Sequence, residues 1–256
     1  MSNNKLKLNS EKTNLILFSY DRTWRAQDNV IELDTGNEVI NVIETVNVLG
    51  GIVSRNLKWE AHLMQDSNCA MKKLSQRLNA IKQICNVADF KTRKMMTNGL
   101  FMSKLAYLMP LWGGCQKFLI SSLQVMQNKA ARYVTKKNIF IPTKVLLKQC
   151  GWMSVNQMVF FHTLVLFYKT RQSKFPTALY NMASSEYSYN TREKSRGNFK
   201  VVSNTRLQSA LAVQSFRWRS VEFWNKLPMN IETIETIEDF KKSLKEWTFE
   251  NISITP

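Results

Sequence analysis

The chain has 256 residues, 44% of them hydrophobic and 11% aromatic, and its 36 Lys+Arg against 19 Asp+Glu give a formal charge of +17 at pH 7. That much apolar material excludes wholesale disorder, and 8 Gly with 5 Pro are too few for a multi-stranded sandwich or barrel full of tight turns. Twelve Met and many Leu and Lys predict a mostly helical protein.

Residues 5–63 read as strands and turns. Leu15 to Phe18 is a short apolar run, and Val30–Leu33 and Glu38–Ile43 flank Asp34-Thr35-Gly36-Asn37, which suits a hairpin turn. Val46 to Val53 is a third β-prone stretch, and the three predict one small antiparallel layer. From about Asp66 the period becomes helical. Leu74, Leu78, Ile81 and Cys85 share a stripe, with Lys72, Lys73, Arg77 and Lys82 outside it. A second helix runs from near Asp89 to Leu108, where Pro110 and Gly113-Gly114 are expected to stop it. A third places Leu119, Leu123, Met126 and Ala130 inward and Lys117, Lys129 and Arg132 elsewhere.

Pro142 breaks this pattern, and a short helix ends near Gly151. Ser154-Val-Asn-Gln157 is a capping box opening an apolar helix to about Lys169. Residues 182–200, rich in Ser, Asn, Tyr and Arg, predict a long mobile loop. Leu211 to Trp224 reads as one helix ending at Leu227-Pro228, and Thr236-Ile-Glu-Asp239 caps a last helix whose Phe240, Leu244 and Trp247 share a face. The fold class predicted is α+β, mainly α. Its parts are a β region over 1–63, a helical bundle over 64–140 and further helices over 141–256.

The basic excess is local. Residues 1–60 carry 7 basic and 8 acidic side chains, residues 61–230 carry 26 and 5, and residues 231–256 carry 3 and 6. Within the middle, residues 67–148 hold 15 Lys/Arg and one acid, Asp89, which points to a polyanion partner, most commonly nucleic acid. A surface that only keeps the protein soluble usually mixes both signs.

Side chains for hydrolytic or transferase chemistry are sparse. His62 and His162 lie a hundred residues apart, each read as structural, and there is no GxSxG, HExxH, Walker loop or Asp-Asp pair. Cys69, Cys85, Cys115 and Cys150 form no CxxC pair and read as reduced, buried small hydrophobes of an intracellular protein, nuclear or cytoplasmic. The N-terminus is polar and basic, so no secretory signal is expected, and the longest apolar run, Met158 to Phe167, is interrupted by His162, so no membrane span is expected.

Three stretches, in order, resemble the C-terminal part of reverse transcriptases of non-LTR retrotransposons (LINE-type, jockey- or CR1-like). Leu6-Lys7-Leu8-Asn9-Ser10-Glu11-Lys12-Thr13 with Leu15–Phe18 is similar to the family's palm motif D. Val48-Leu49-Gly50-Gly51-Ile52 through Leu57-Lys58-Trp59-Glu60-Ala61-His62-Leu63 is similar to motif E, the primer-grip turn leading into the thumb. The third stretch comprises Tyr107, Leu111-Trp112-Gly113, Leu123, Gln127-Asn128-Lys129 and Arg132, then Trp224-Asn225-Lys226-Leu227-Pro228 and Phe240-Lys241. Val53-Ser54 stands where the family usually has an Asp.

The resemblance implies a palm edge, a thumb-like bundle and further C-terminal helices. It implies Lys12 as a motif D proton donor and Leu49, Gly50 and Gly51 as the primer grip. Lys72, Lys73, Arg77, Lys82, Lys91, Arg93 and Lys94 become expected contacts to duplex phosphates, and Lys129, Arg132, Lys136 and Lys137 a second cluster for RNA or target DNA. Trp59 is expected as a core side chain rather than a base-stacking one. The expected partners are an RNA template and DNA primer, or an RNA–DNA hybrid, and the family's fingers–palm region. The family's metal-binding aspartates, including its YADD turn, are expected upstream of Met1, so Mg²⁺ is expected only in the intact enzyme and this chain alone is expected to be inactive. Two other readings stay open: a decayed transposon reading frame without function, and an independent basic helical RNA- or DNA-binding protein.

Overall fold

The computed structural model describes residues 12–18, 32–34, 39–65, 69–184, 200–201 and 210–253. The chain divides into two compact units, residues 1–69 and residues 70–256. Leu6–Glu11 of the first resembling stretch, the turn 35–38 and most of the expected loop, 185–199, lie outside the described residues. The fold is α+β and mainly α.

In the first unit, β1 (Glu32–Asp34) pairs antiparallel with β2 (Val39–Asn41), with Leu33 opposite Ile40. Leu15 bridges Val42 in parallel, and the Ile43 N–H donates to the Leu15 carbonyl at 2.8 Å. The third β-prone stretch is not one strand. It is a hairpin of β3 (Thr45–Val48) and β4 (Gly51–Ser54), closed by Leu49-Gly50. Both turn residues have left-handed φ, 50° and 81°, the pattern of a two-residue primed turn, and the Gly50 N–H donates to Asn47 Oδ1 at 3.0 Å. Gly50 can adopt that φ freely, so the chain reverses in the middle of an apolar run. Among the described residues, therefore, the strands form separate two-stranded hairpins rather than the single layer expected.

The second unit is helical. Its first helix, α1 (Ala70–Ile84), buries Ala70, Leu74, Leu78 and Ile81, the stripe the spacing predicts. Asp89 caps α2 (Phe90–Thr97) by accepting from the Thr92 N–H at 3.2 Å. Helix continues through a π turn at Asn98–Met102 into α3 (Ser103–Ala106) and stops at Tyr107, whose ψ is 129°. Pro110 is not the stop. It lies in the first turn of α4 (Met109–Trp112), where its missing N–H has no partner to lose.

Helix α5 (Lys117–Thr135) buries Leu119, Leu123 and Ala130 as expected, but Met126 is only half-buried and Gln127 is fully buried in its place. Helix α6 (Thr143–Cys150) ends on Gly151 at φ 65°. Helix α7 (Val155–Ser173) opens with the expected capping box: the Ser154 N–H donates to Gln157 Oε1 at 2.9 Å and the Gln157 N–H to Ser154 Oγ at 3.3 Å. It is apolar on most sides because α4, α5 and the later helices all pack on it. Gly113 is demanded by that packing, since a Cβ there would lie 2.6 Å from Val159 Cγ1.

After α8 (Thr177–Tyr180), β5 (Ala183–Ser184) pairs with β6 (Lys200–Val201), joining the two ends of the 182–200 segment. The expected helix over 211–224 is two: α9 (Ala210–Gln214) and α10 (Phe216–Trp224). They are separated by Ser215, whose hydroxyl accepts from the Trp218 N–H at 3.3 Å and starts a new helix. After α11 (Met229–Glu232) comes α12 (Ile237–Asn251), capped by Thr236 and burying Phe240 and Leu244. Phe160, Phe167, Tyr168, Trp224 and Phe240 form its core with the aliphatics around them, and Tyr168 stacks on Phe240 at 4.1 Å.

Candidate nucleic-acid interface

The segment 67–148 has one carboxylate, and that carboxylate is occupied. Asp89 is held at the start of α2 by the Thr92 N–H, and hydrogen bonding from the Thr92 side chain first and its backbone second lowers its pKa. Among the described residues none of the eleven expected phosphate-binding cations lies within ion-pair distance of an acid; the pair formed elsewhere is Lys226–Glu222 at 2.7 Å.

The structure separates these cations by position. Lys72, Lys82, Lys91, Lys129, Lys136 and Lys137 are exposed, and Lys73, Arg77, Lys94 and Arg132 are half-buried. Arg93 is 8% exposed; its Nε donates to the Val134 carbonyl and its Nη1 to the Ala88 carbonyl, both at 2.7 Å. It ties α2 to the end of α5 and is not a surface cation. Lys94 lies beside the end of α6, with Nζ 3.7 Å from where a Gly151 Cβ would stand, and a cation there favours the negative pole of that helix.

Lys73 and Arg77, one helical turn apart, share a flank of α1. Arg77 Nη1 donates to the Leu100 carbonyl at 2.6 Å, inside the π turn, so the guanidinium satisfies a backbone group of the irregular stretch. Lys104 joins them from α3, which packs on α1, and its Nζ stands 4.8 Å from the Tyr107 ring centre. Its pKa is lowered by partial burial first and then by the charges of Lys73 and Arg77. Three cations that repel one another, with no carboxylate among them, make a site that a phosphate would stabilise. Sequence reasoning missed Lys104, because only the packing of two separate helices brings it beside Lys73.

The second cluster lies on the outer face and end of α5. Lys129 is exposed. Arg132 reaches the Asn128 and Ile139 carbonyls at 3.5 and 3.4 Å, and its buried Nε has no partner among the described residues. Lys136 ends the helix at φ 53°, and its Nζ approaches the Asn86 carbonyl at 3.5 Å. On the inner face of the same helix, Gln124 and Gln127 form a buried amide network: Gln127 Nε2 donates to the Met153 carbonyl at 2.8 Å and Gln124 Oε1 accepts from the Val155 N–H at 2.8 Å. In the Gln127-Asn128-Lys129 stretch, Gln127 thus serves the fold and Lys129 faces outward.

In the first unit, Leu49 is 87% exposed at the tip of its hairpin with Gly50 beside it, while Gly51 is buried in the strand, opposite Val48. Lys12 is exposed. Trp59 is half-buried and edge-on to His62, which is 3% exposed and accepts the Ile52 N–H on Nδ1 at 3.3 Å.

Burial holds three of the four thiols protonated. Burial pushes the Cys115 thiol up to about 12 and the Cys150 thiol up to about 11, and it raises Cys85 as well, so none of the three is a thiolate at neutral pH. Burial also lowers the pKa of His162, which packs edge-on against Phe161. Among the described residues no group of three His, Cys, Asp or Glu is placed to hold a metal ion. Among them also, no single helix is long and apolar enough to cross a membrane; α6 and α7 reach that length only across a 45° bend.

No protein-family model, curated protein or solved structure matches the chain.

Proposed function

We propose that this chain is the palm-edge and thumb-like region of a non-LTR retrotransposon reverse transcriptase, and that it grips an RNA–DNA template–primer duplex without reading its sequence. The observation that carries this reading is the Lys73–Arg77–Lys104 cluster, set on two packed helices in a stretch whose one acid is spent as a helix cap. Phosphate contacts of this kind position a duplex and carry no base information. Lys72, Lys82 and Lys91 add exposed cations on other faces of α1 and on α2, as do Lys129 on α5 and Lys137 just after it.

The exposed Leu49-Gly50 tip acts as the primer grip, where a small turn lets backbone approach a primer end. Lys12 is the proton donor to the leaving pyrophosphate once the family's fingers–palm region is supplied. Alone, the chain binds and does not polymerise. The test is competition: an RNA–DNA hybrid of unrelated sequence should displace a labelled hybrid as well as unlabelled copies of the same hybrid do. Primer extension with Mg²⁺ or Mn²⁺ should show no incorporation. Strong sequence preference or nucleotide incorporation would overturn the reading.

A further inference from the structure

We propose that the loop from Lys136 to Pro142 is a stacking platform for single-stranded nucleic acid, with the Phe140 ring receiving a base and Lys136, Lys137 and Lys144 holding the flanking phosphates. Phe140 is 82% exposed, and its neighbour Ile139 is 69% exposed. A lone exposed Phe is unremarkable. This one sits on a built loop. Lys136 fixes the entry at φ 53°, the Ile141 N–H donates to the Asn138 carbonyl at 3.2 Å, and Arg132 Nη2 reaches the Ile139 carbonyl at 3.4 Å. The Lys136 bond to Asn86 ties the loop to the corner after α1, where Val87 is 93% exposed.

Lys136, Lys137 and Lys144 are exposed within four residues of Phe140 in the chain, and the one carboxylate of the region, Asp89, is engaged with Thr92. An open aromatic face near cations without a carboxylate partner complements unstacked bases on a phosphate backbone. Duplex hides its bases, so the ring would add nothing to duplex binding. A lipid surface fits less well, because the exposed apolar side chains lie on two short loops and not along one face of a helix. The platform uses none of Lys73, Arg77 and Lys104; of its residues Lys137 alone is shared with the duplex surface proposed above, and the Phe140 ring is independent of it.

The test is the affinity of the full chain for labelled oligo(dT) and oligo(rU), beside an RNA–DNA hybrid and phosphatidylserine vesicles. Phe140→Ala should weaken both single strands about tenfold, and Phe140→Trp should restore them. Hybrid affinity and circular dichroism should not change. The proposal is overturned if wild type fails to bind single strands at low salt, if Phe140→Ala leaves them unchanged or weakens the hybrid equally, or if it abolishes only vesicle binding. Single-strand binding without hybrid binding would uphold this site and remove the template–primer reading.

Discussion

Between Ala70 and Lys148 the interior is mostly aliphatic and cations satisfy helix ends, whereas between Ser154 and Asn251 aromatic rings fill the core and hydroxyls and amides do the capping. In the first region Arg93 serves the Ala88 and Val134 carbonyls and Lys136 the Asn86 carbonyl. In the second, Ser154, Ser215 and Thr236 start helices, and Gln157 Nε2 reaches the Thr248 and Ile252 carbonyls at the end of α12. Tyr168 closes that side by donating to the Ile234 and Glu235 carbonyls at 2.8 and 2.6 Å. The described polar groups named in the second region serve its own helix ends. The first keeps a surplus of cations without carboxylate partners among the described residues.

Arg219 is an instructive exception. It lies on α10 of the aromatic region, yet its Nη2 donates to the Pro110 carbonyl at 2.7 Å, so it joins the two regions. Burial lowers its pKa to about 10, and its Nη1 has no partner among the described residues.

Removing a core aromatic should have the largest effect. Phe240→Ala deletes a fully buried ring stacked on Tyr168 and should cost about 3–5 kcal/mol, read as a lower denaturant midpoint. Arg93→Met should cost about 2–3 kcal/mol by leaving two carbonyls unpaired, and Arg93→Lys should not restore it, because one ammonium cannot replace the fork. The salt dependence of hybrid binding should stay unchanged in Arg93→Met; a flatter slope would show that Arg93 touches phosphate after all.

His162 tests the aromatic region by pH. Its folded pKa lies below 6.5, so as pH falls through 6.5 the unfolded chain takes up a proton that the folded one refuses. Stability should therefore fall on the acid side by at most about 1.4 kcal/mol per pH unit, and His162→Gln should flatten that limb. The smallest effect is at the hairpin. Leu49→Gly removes a side chain from a left-handed position and should stabilise the first unit by no more than about 1 kcal/mol in thermal melts.

What the sequence made legible was local chemistry. Asp89, Ser154 and Thr236 bond to backbone within three residues, so their helix starts are written in adjacent letters. The stripe of Leu74, Leu78 and Ile81 follows from helical period alone. Long-range contacts were not legible. Gln127 is polar by letter, yet it is buried because Met153, 26 residues on, supplies its acceptor. Arg93 counts as one more cation until Val134, 41 residues on, claims it. Lys104 joins Lys73 only because α3 packs on α1. Trp112, Gly113, Gln127, Trp224 and Phe240, which stand out in the sequence as motif letters, serve packing or internal hydrogen bonding.

The central claim, that the acid-free helices grip duplex by charge, is tested most directly by the salt dependence of RNA–DNA hybrid affinity in wild type and in the Lys73→Gln/Lys104→Gln double variant. Wild type should bind tightly at low salt with a steep fall in log affinity against log salt, and the double variant should lose about one unit of slope per lysine while melting at the wild-type temperature. A wild-type affinity that does not respond to salt, or a double variant with the wild-type slope, would contradict it.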